Sequence, residues 1–354
     1  MIHSLSRTCA ARIAVALALL LAGGSGCRPP EPAPRCAAAS PTSLIAVGDT
    51  GIPPRWPMAW YGTQLAVARA MDAEHSRHPV RSLVLLGDNF YPDGLRRPEA
   101  ARRIRDNLVT PYCRFLDLSG PRSAEVAPAC RVAPSARRPV PVIAVLGNHD
   151  HMSDESPALE RELVPEFLPG WRMAPGEAAV EEIEGGLSLV HFDSTPLLYN
   201  DPVELSAAIA RARGPWRILV GHHPLVGSGW DWDVRYRKRV LAAIRDAGVD
   251  VHLLLAGHDH NLQAGVEPAP ELPLQVVAGS GASDRDPRLD LLGGSFVLRA
   301  PGFVRVDLDD AGLVVTLVST TERPVERWRA PRVEACYRVD PDGHARRVEP
   351  IGGG

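Results

Sequence analysis

The sequence predicts a layered α/β fold. Short apolar segments, rich in β-branched residues and leucine, alternate with segments of helical periodicity along most of the 354 residues. Several apolar segments contain almost no polar residue, which is typical of strands in sheets covered on both faces. Helices between successive strands imply crossover connections, and such connections build layered α/β folds.

The strands are predicted from short apolar runs bounded by turn residues. In chain order they are residues 43–47, 82–86, 140–146, 187–192, 216–220, 251–256, 274–278, 303–307 and 313–319. The last three have little helical sequence between them. Asp309, Asp310 and Gly312 supply a turn that joins the final two strands as a hairpin.

Helices are predicted where apolar residues recur at helical spacing. The predicted helices are residues 59–75, 97–108, 203–211 and 233–247. In the first, Leu65, Ala68 and Met71 lie on one side of the predicted helix.

Charge and composition limit the class of function. With 39 basic and 42 acidic residues the net charge is −3. This balance lacks the basic character expected of proteins that bind nucleic acid or an anionic membrane surface, so neither is predicted as a direct partner. The 31 glycines and 34 prolines indicate many loops around a packed core.

The first 26 residues are predicted to be a signal peptide. Arg7 and Arg12 precede an apolar run at 13–22, which has the length of a signal-peptide core and is shorter than a membrane-spanning helix. Small residues at 24–26 lead to Cys27, in a pattern that resembles a bacterial lipoprotein processing site. We expect an exported protein, periplasmic or at the cell surface if Cys27 is lipidated and otherwise secreted. An uncleaved single-pass anchor is the third alternative.

The remaining chain divides into three predicted parts. Residues 27–42 are a proline-rich tether, 43–320 a single catalytic domain, and 321–354 a tail without a strong pattern.

Disulfides are expected because an exported chain has an even number of cysteines after the leader. Excluding Cys9 and Cys27, the cysteines that remain are Cys36, Cys113, Cys130 and Cys336. We expect Cys113 to pair with Cys130 within one loop, and Cys36 with Cys336 to connect the chain ends. Buried unpaired thiols are the alternative, because spacing alone does not fix connectivity.

Five predicted strands end in glycine followed at once by Asp, Asn or His. The blocks are Gly48-Asp49-Thr50-Gly51, Gly87-Asp88-Asn89-Phe90-Tyr91, Gly147-Asn148-His149-Asp150, Gly221-His222-His223 and Gly257-His258-Asp259-His260. In open α/β sheets the crevice lies at the carboxyl ends of the strands, so these side chains are expected to converge there.

The residue types in these blocks predict a metal centre. Carboxylate and amide oxygens, a phenol and imidazoles, without a thiolate, suit hard or borderline cations such as iron, manganese or zinc. The donors outnumber what one ion with open positions can use. This surplus favours two ions, roughly 3.5 to 4 Å apart, that share a carboxylate.

In order, the five blocks resemble the signature blocks of the calcineurin-like metallophosphoesterases. Tyr91 and the stretches 147–151 and 257–263 make the small, tartrate-resistant purple acid phosphatases the most similar type. The resemblance covers about residues 43–320 and implies an α/β/β/α sandwich of two mixed sheets flanked by helices. Phe192-Asp193 and Gly279-Ser280-Gly281 are weaker similarities.

The resemblance also implies a ligand set for two metal ions. Asp49, Asp88, Tyr91 and His260 would bind Fe(III). Asp88 would bridge to a divalent ion, Fe, Zn or Mn, which Asn148, His222 and His258 would also bind.

By the same resemblance, a metal-bound hydroxide would attack a phosphate monoester. His149 would contact the phosphate, and Asp150 would orient His149.

One departure concerns the leaving group. The related enzymes have a further histidine in the loop after the fourth block, but residues 226–233 contain none. His151 or His223 could replace it, as could Asp231 or Asp233. Trp230 and Trp232, in the same loop, would line the rim of the pocket or pack in an ordinary way.

The expected function is therefore an exported, metal-dependent phosphatase that acts as a monomer on small phosphate esters. A phosphodiesterase or a nucleotide-phosphate hydrolase could use the same site. The alternative from another class is a non-catalytic surface lipoprotein with a structural metal site.

Overall fold

The computed structural model describes residues 36–37, 40–54, 58–227, 233–287, 296–320 and 331–351. The predicted signal peptide, Cys27, Trp230, Asp231 and Trp232 lie outside these residues. No helix in the described ranges is long and apolar enough to cross a membrane.

Fifteen strands form two mixed sheets in the described ranges. The eight-stranded sheet has the order β15-β14-β13-β12-β1-β2-β3-β4. The bounds of its strands are β1 Thr42–Val47, β2 Ser82–Leu85, β3 Val142–Ala144, β4 Trp171–Arg172, β12 Gly302–Asp309, β13 Gly312–Ser319, β14 Arg332–Val339 and β15 Ala345–Val348. Strands β1 to β4 are parallel, and antiparallel pairs complete the sheet.

The seven-stranded sheet has the order β11-β9-β10-β8-β7-β6-β5. The bounds of its strands are β5 Ala178–Ile183, β6 Leu187–Phe192, β7 Trp216–Val220, β8 Leu253–Ala256, β9 Leu262–Ala269, β10 Leu272–Ala278 and β11 Phe296–Leu298. Strands β6, β7, β8 and β10 run parallel, and β5, β9 and β11 pair antiparallel to their neighbours.

Helices cover the outer faces of the sheets. The α-helices are α1 Met58–Arg77, α2 Ala100–Ile104, α3 Thr110–Tyr112, α4 Ser156–Ala158, α5 Val164–Phe167, α6 Leu205–Arg211 and α7 Val234–Ala247. Wider π turns at Arg105–Val109 and Leu159–Leu163 join α2 to α3 and α4 to α5. The 3₁₀ segments are Arg97–Glu99, Ser123–Glu125, Ala127–Ala129, Pro134–Ala136 and Pro196–Leu198.

Three large apolar clusters show the layering. One joins the first helices to the eight-stranded sheet, and another joins α6 and α7 to the seven-stranded sheet. The third lies between the sheets, where Val84 and Ile143 from one layer meet Val220 and Leu255 from the other. This is the α/β/β/α arrangement that the resemblance implies.

All the predicted strands and helices form, most with ends displaced by a few residues. The strands that the sequence analysis does not predict are β4, β5, β9, β11, β14 and β15. Strands β14 and β15 continue the larger sheet beyond residue 320, the domain end expected from the sequence.

Both expected disulfides are present in the structure. Cys113 pairs with Cys130, 17 residues apart, and Cys36 pairs with Cys336, 300 residues apart. The second bond attaches the segment before β1 to β14, and Cys36 packs in one cluster with Val314 of the neighbouring strand β13.

Candidate metal centre

The predicted donors follow five parallel strands that end at one edge of the sandwich. Asp49 follows β1, Asp88 and Tyr91 follow β2, and Asn148 follows β3 in the eight-stranded sheet. His222 follows β7, while His258 and His260 follow β8 in the seven-stranded sheet. The two layers therefore both contribute to one site.

The backbone takes an unusual conformation at three of these donors. Asp49, Asp88 and His258 have φ values of 59°, 54° and 67°, in the left-handed region that side chains other than glycine rarely adopt. Among the described residues, Glu267 is the only other non-glycine residue with positive φ. Such conformations concentrate at functional sites, where the surrounding structure maintains them.

Three donor atoms form the first half of the site. The Tyr91 phenol oxygen lies 3.0 Å from Asp49 Oδ1 and 3.1 Å from His260 Nε2, and His260 Nε2 lies 3.3 Å from Asp49 Oδ1. Donors bonded to one ion at about 2.1 Å and at right angles would lie about 3.0 Å apart. The distances within this triangle are therefore those expected for three atoms that bind the same metal ion.

Another triangle forms the second half. Asn148 Oδ1 lies 3.1 Å from His222 Nε2 and 3.0 Å from His258 Nδ1, and the two ring nitrogens are 3.2 Å apart. Its dimensions match those of the first triangle.

Asp88 lies between the two triangles. Its Oδ1 is 3.6 Å from His222 Nε2, and its carboxylate also lies close enough to the Tyr91 phenol to raise the phenol's pKa. Donor atoms of Asp49, Asp88 and His222 lie within 4.8 Å of one another. The His149 backbone N–H donates to Asp88 Oδ1 at 2.9 Å and holds the carboxylate in place.

The hydrogen bonds orient histidine lone pairs towards the centre. His222 Nδ1 lies 2.8 Å from the Leu86 carbonyl, which can only accept, so Nε2 is the unprotonated nitrogen of the neutral ring. His260 Nδ1 bonds Ser283 Oγ at 2.7 Å and leaves Nε2 in the first triangle. The second triangle brings the His222 Nε2 acceptor within 3.1 Å of the Asn148 Oδ1 acceptor. A cation between these atoms would satisfy both, so the residues fit a bound metal.

Burial and mutual charge shift the pKa values of the donors. Burial alone would raise the pKa of Asp49, but the hydrogen bond and charge of His260 and the charges of His222 and His258 lower it overall. Burial, followed by the Asp49 and Asp88 charges, raises the pKa of Tyr91 well above its usual value. A raised pKa means that the Tyr91 phenolate is unfavourable beside two carboxylates. Two bound cations would lower the pKa of Tyr91 again, because they would neutralise both carboxylates.

His149 lies beside the first triangle. Its ring centroid is 4.3 Å from that of Tyr91, and its Nδ1 lies 2.6 Å from the Pro92 carbonyl. That carbonyl, and not Asp150, orients the ring.

The orienting role expected for Asp150 is therefore corrected. Its buried carboxylate accepts hydrogen bonds from the backbone N–H groups of Asn89, Phe90 and Gly147 at 2.9 to 3.0 Å. Asp150 thus connects the loops after β2 and β3, while the neighbouring His149 lies beside Tyr91.

The candidates for leaving-group acid occupy different environments. His223 is buried next to His222 and His258, whereas His151 is partly exposed. Asp233 is the N-cap of α7 and accepts from Arg235 N and Tyr236 N, which gives it a structural role.

Two hydroxyl groups that were not predicted from the sequence support the site. Ser194 Oγ accepts from the backbone N–H groups of His222 and His223 at 3.2 and 3.0 Å, and Ser283 supports His260. Ser194 directly follows Phe192-Asp193, and Ser283 follows Gly279-Ser280-Gly281 with one residue between them. The weak similarities at these segments are the signals that could have found them.

Comparisons with known proteins agree with this geometry. The family model described as calcineurin-like phosphoesterase matches residues 42–262, a range that is more than half of the chain and contains the seven predicted donors. Among curated proteins, purple acid phosphatase 3 of Arabidopsis thaliana is 21% identical over 322 residues, which span 83% of this chain and 79% of that protein.

Solved structures show the same fold at low identity. The Plasmodium protein GAP50, described as the anchor in the inner membrane complex, has a TM-score of 0.56 at 18% identity, covering 83% of this chain and 89% of that chain. Purple acid phosphatase PPD1 of yellow lupin (Lupinus luteus) has a TM-score of 0.54 at 14% identity, covering 83% of this chain and 53% of that chain. Given the family match and the donor set, this chain belongs to the calcineurin-like phosphoesterase family, is similar to its purple acid phosphatases, and is a metal-dependent hydrolase of phosphate esters.

Proposed function

We propose that this hydrolase removes phosphate from small monoesters at a centre that holds Fe(III) and one divalent ion. The main support is the pair of donor triangles with Asp88 between them. Asp49, Tyr91 and His260 would hold Fe(III), because an anionic phenolate and carboxylate favour a trivalent ion. The second triangle, with one amide oxygen and two neutral imidazoles, suits a divalent ion, Fe, Zn or Mn.

When bound, the two ions would supply Lewis acidity towards the phosphate oxygens and would lower the pKa of water in the site. The chain's own residues position the substrate. The Pro92 carbonyl fixes His149 through Nδ1, which leaves Nε2 to contact a phosphate oxygen.

We also propose that the protein functions outside the cytoplasm, as a lipoprotein attached at Cys27 or in secreted form. Support comes from two disulfides, which persist in oxidising compartments, and from the basic and apolar leader sequence.

Metal content and substrate turnover test the catalytic proposal together. We expect purified protein to contain iron, to absorb visible light through the Tyr91 phenolate, and to hydrolyse aryl phosphate faster than bis-aryl phosphate. A colourless, iron-free and active preparation would refute the iron centre. Faster diester turnover would instead support a phosphodiesterase.

Substitutions at Asp88 and His222 test the site itself. Asp88→Asn and His222→Ala should each lower kcat on the order of 10³-fold, because several kcal/mol of charge stabilisation depend on the bound ions. Asp310→Asn, at an exposed turn of the β12–β13 hairpin, is the matched control and should keep both metal and activity. Unchanged turnover in the Asp88 and His222 variants would refute the site.

A further inference from the structure

Two consecutive residues after β6 each hydrogen-bond a histidine that is not part of the donor triangles. Asp193 contacts His151, and Ser194 contacts His223. The two histidines are the sequence candidates for protonating the leaving group, and their partners give them different hydrogen-bonding roles.

His151 is bound by a carboxylate. Its Nε2 lies 3.0 and 2.9 Å from the two carboxylate oxygens of Asp193, so Nε2 carries a proton and donates it. Arg161 donates to Asp193 Oδ2 at 3.2 Å, and the Thr195 backbone N–H donates to Oδ1 at 3.2 Å. Asp193 is only 6% exposed, so these donors hold a buried carboxylate in a fixed orientation.

The second nitrogen of this ring remains available. Within the described parts of the chain, no group hydrogen-bonds His151 Nδ1, and 25% of the side chain is exposed. The ring is therefore held through one nitrogen while the other can exchange a proton with solvent or substrate.

His223 has the opposite arrangement. Ser194 Oγ accepts from two backbone N–H groups, which uses both of its lone pairs, so its own proton goes to His223 Nδ1 at 2.8 Å. The ring is 3% exposed and lies beside His222 and His258. Its Nδ1 is therefore occupied by the serine hydroxyl, and the buried ring packs against His222 and His258.

The same contacts locate His151 near the second triangle. Ser194, which follows its partner Asp193, accepts hydrogen bonds from the backbone N–H groups of His222 and His223. His151 also lies three residues after Asn148 in the same loop.

We propose that His151, oriented by Asp193, is the general acid that protonates the leaving-group oxygen. The inference rests on the proposed phosphoester hydrolysis, and it identifies a replacement for the histidine that is missing from residues 226–233.

The step balances without a further reactant. A water oxygen forms the new bond to phosphorus and releases a proton, the bond from phosphorus to the ester oxygen breaks, and its electron pair goes to that oxygen. The oxygen takes the proton from His151 Nδ1 and leaves as an alcohol. Nδ1 regains a proton from solvent, while Nε2 stays bonded to Asp193 throughout.

Leaving groups of different basicity test this role. With phenyl phosphate, whose leaving oxygen needs a proton, His151→Gln should lower kcat on the order of 10²-fold or more. With 2,4-dinitrophenyl phosphate, whose leaving group departs as an anion, the loss should be below about 3-fold. Asp193→Asn should show the same selective loss to a smaller degree, because Arg161 still positions residue 193.

Controls separate this role from a structural one. His344→Gln, at an exposed histidine in the turn before β15, should leave both substrates unaffected. His223→Gln should affect both substrates equally. Melting temperature and bound metal are measured for every variant, and His151→Asn replaces His151→Gln if the latter does not fold.

Equal losses on both substrates in the His151 variants would overturn the inference while leaving the proposed function intact. A selective loss in His223→Gln instead would also overturn it. Wild-type protein without phosphoester turnover would contradict the proposed function itself and, with it, this role of His151.

Discussion

Glu160 is a fully buried acid that supports the site from beneath. Its Oε1 accepts from Ser156 Oγ at 2.9 Å, and its Oε2 accepts from Asn89 Nδ2 at 3.1 Å. Burial and then the nearby charge of Asp150 raise the pKa of Glu160 well above its usual value. Burial and the neighbouring carboxylate therefore favour the neutral acid, whose proton can bind Asp150.

This protonation state predicts that glutamine can replace Glu160. Gln has the same shape, keeps an oxygen that accepts from Ser156, and has an N–H donor for Asp150, while Asn89 Nδ2 still donates to the Val145 carbonyl. Glu160→Gln should therefore change the free energy of unfolding by less than about 1 kcal/mol. Glu160→Ala leaves a cavity and unpaired buried donors, and should cost roughly 2 to 4 kcal/mol. Urea denaturation measures both. A Gln variant as unstable as the Ala variant would contradict a neutral Glu160.

The pH dependence gives an independent check on Glu160. A pKa that folding raises contributes stability below the unfolded value of about 4.5, and this contribution is lost as pH rises towards the folded value. Gln does not titrate. The stability of wild type relative to Glu160→Gln should therefore fall as pH rises above about 4.5. A difference that is constant with pH would show that the two pKa values are alike.

The ends of the strands show why glycine precedes the donors. At Gly147, a Cβ atom would lie 2.2 Å from Asp88 Oδ1 and 2.4 Å from Asp88 N. Gly147→Ala should therefore displace Asp88 and lower both metal content and kcat. Gly62→Ala is the matched control, since Gly62 is exposed in α1 with nothing within 4 Å, and should gain up to about 1 kcal/mol of stability. Full metal content in Gly147→Ala would contradict this view of the strand end.

Strands could be predicted where both faces are buried. β6 and β7 form with their predicted bounds, and every residue of β6 is buried. β5 and β14 were not predicted, because partly exposed and charged residues interrupt their apolar pattern. Their position is set by pairing with β6 and β13, a tertiary effect that a local sequence window does not contain.

At the scale of the whole molecule, the disulfides should differ in their contribution to stability. The entropic model gives roughly 3 kcal/mol for the short Cys113–Cys130 loop and roughly 6 kcal/mol for the loop that Cys36–Cys336 closes. We expect the double alanine variant of Cys36 and Cys336 to have the lower melting temperature, and both double variants to keep their metal. Calorimetry with metal analysis tests this. The reverse order would show that native-state effects outweigh loop length.

The composition of the site could be predicted from the sequence, but its hydrogen-bonding pattern could not. Glycine followed by Asp, Asn or His at five strand ends indicated a metal site, and the resemblance to the metallophosphoesterases selected the seven donors within these blocks. The use of Asp150 as a backbone acceptor depends on how one loop folds under another, and adjacent residues in the sequence do not reveal it. The carboxylate held beside His151 comes from Asp193, after β6, and only the fold places the two residues together.

Each donor triangle takes atoms from both sheets, with His260 opposite Asp49 and Tyr91, and His222 and His258 opposite Asn148. The coordination distances therefore depend on interlayer spacing, which is set by side chains such as Val84 and Leu255 that never touch an ion. Substituting larger or smaller side chains at these distant positions should therefore change metal affinity. Bound ions should in turn stabilise the sandwich against separation of its two sheets.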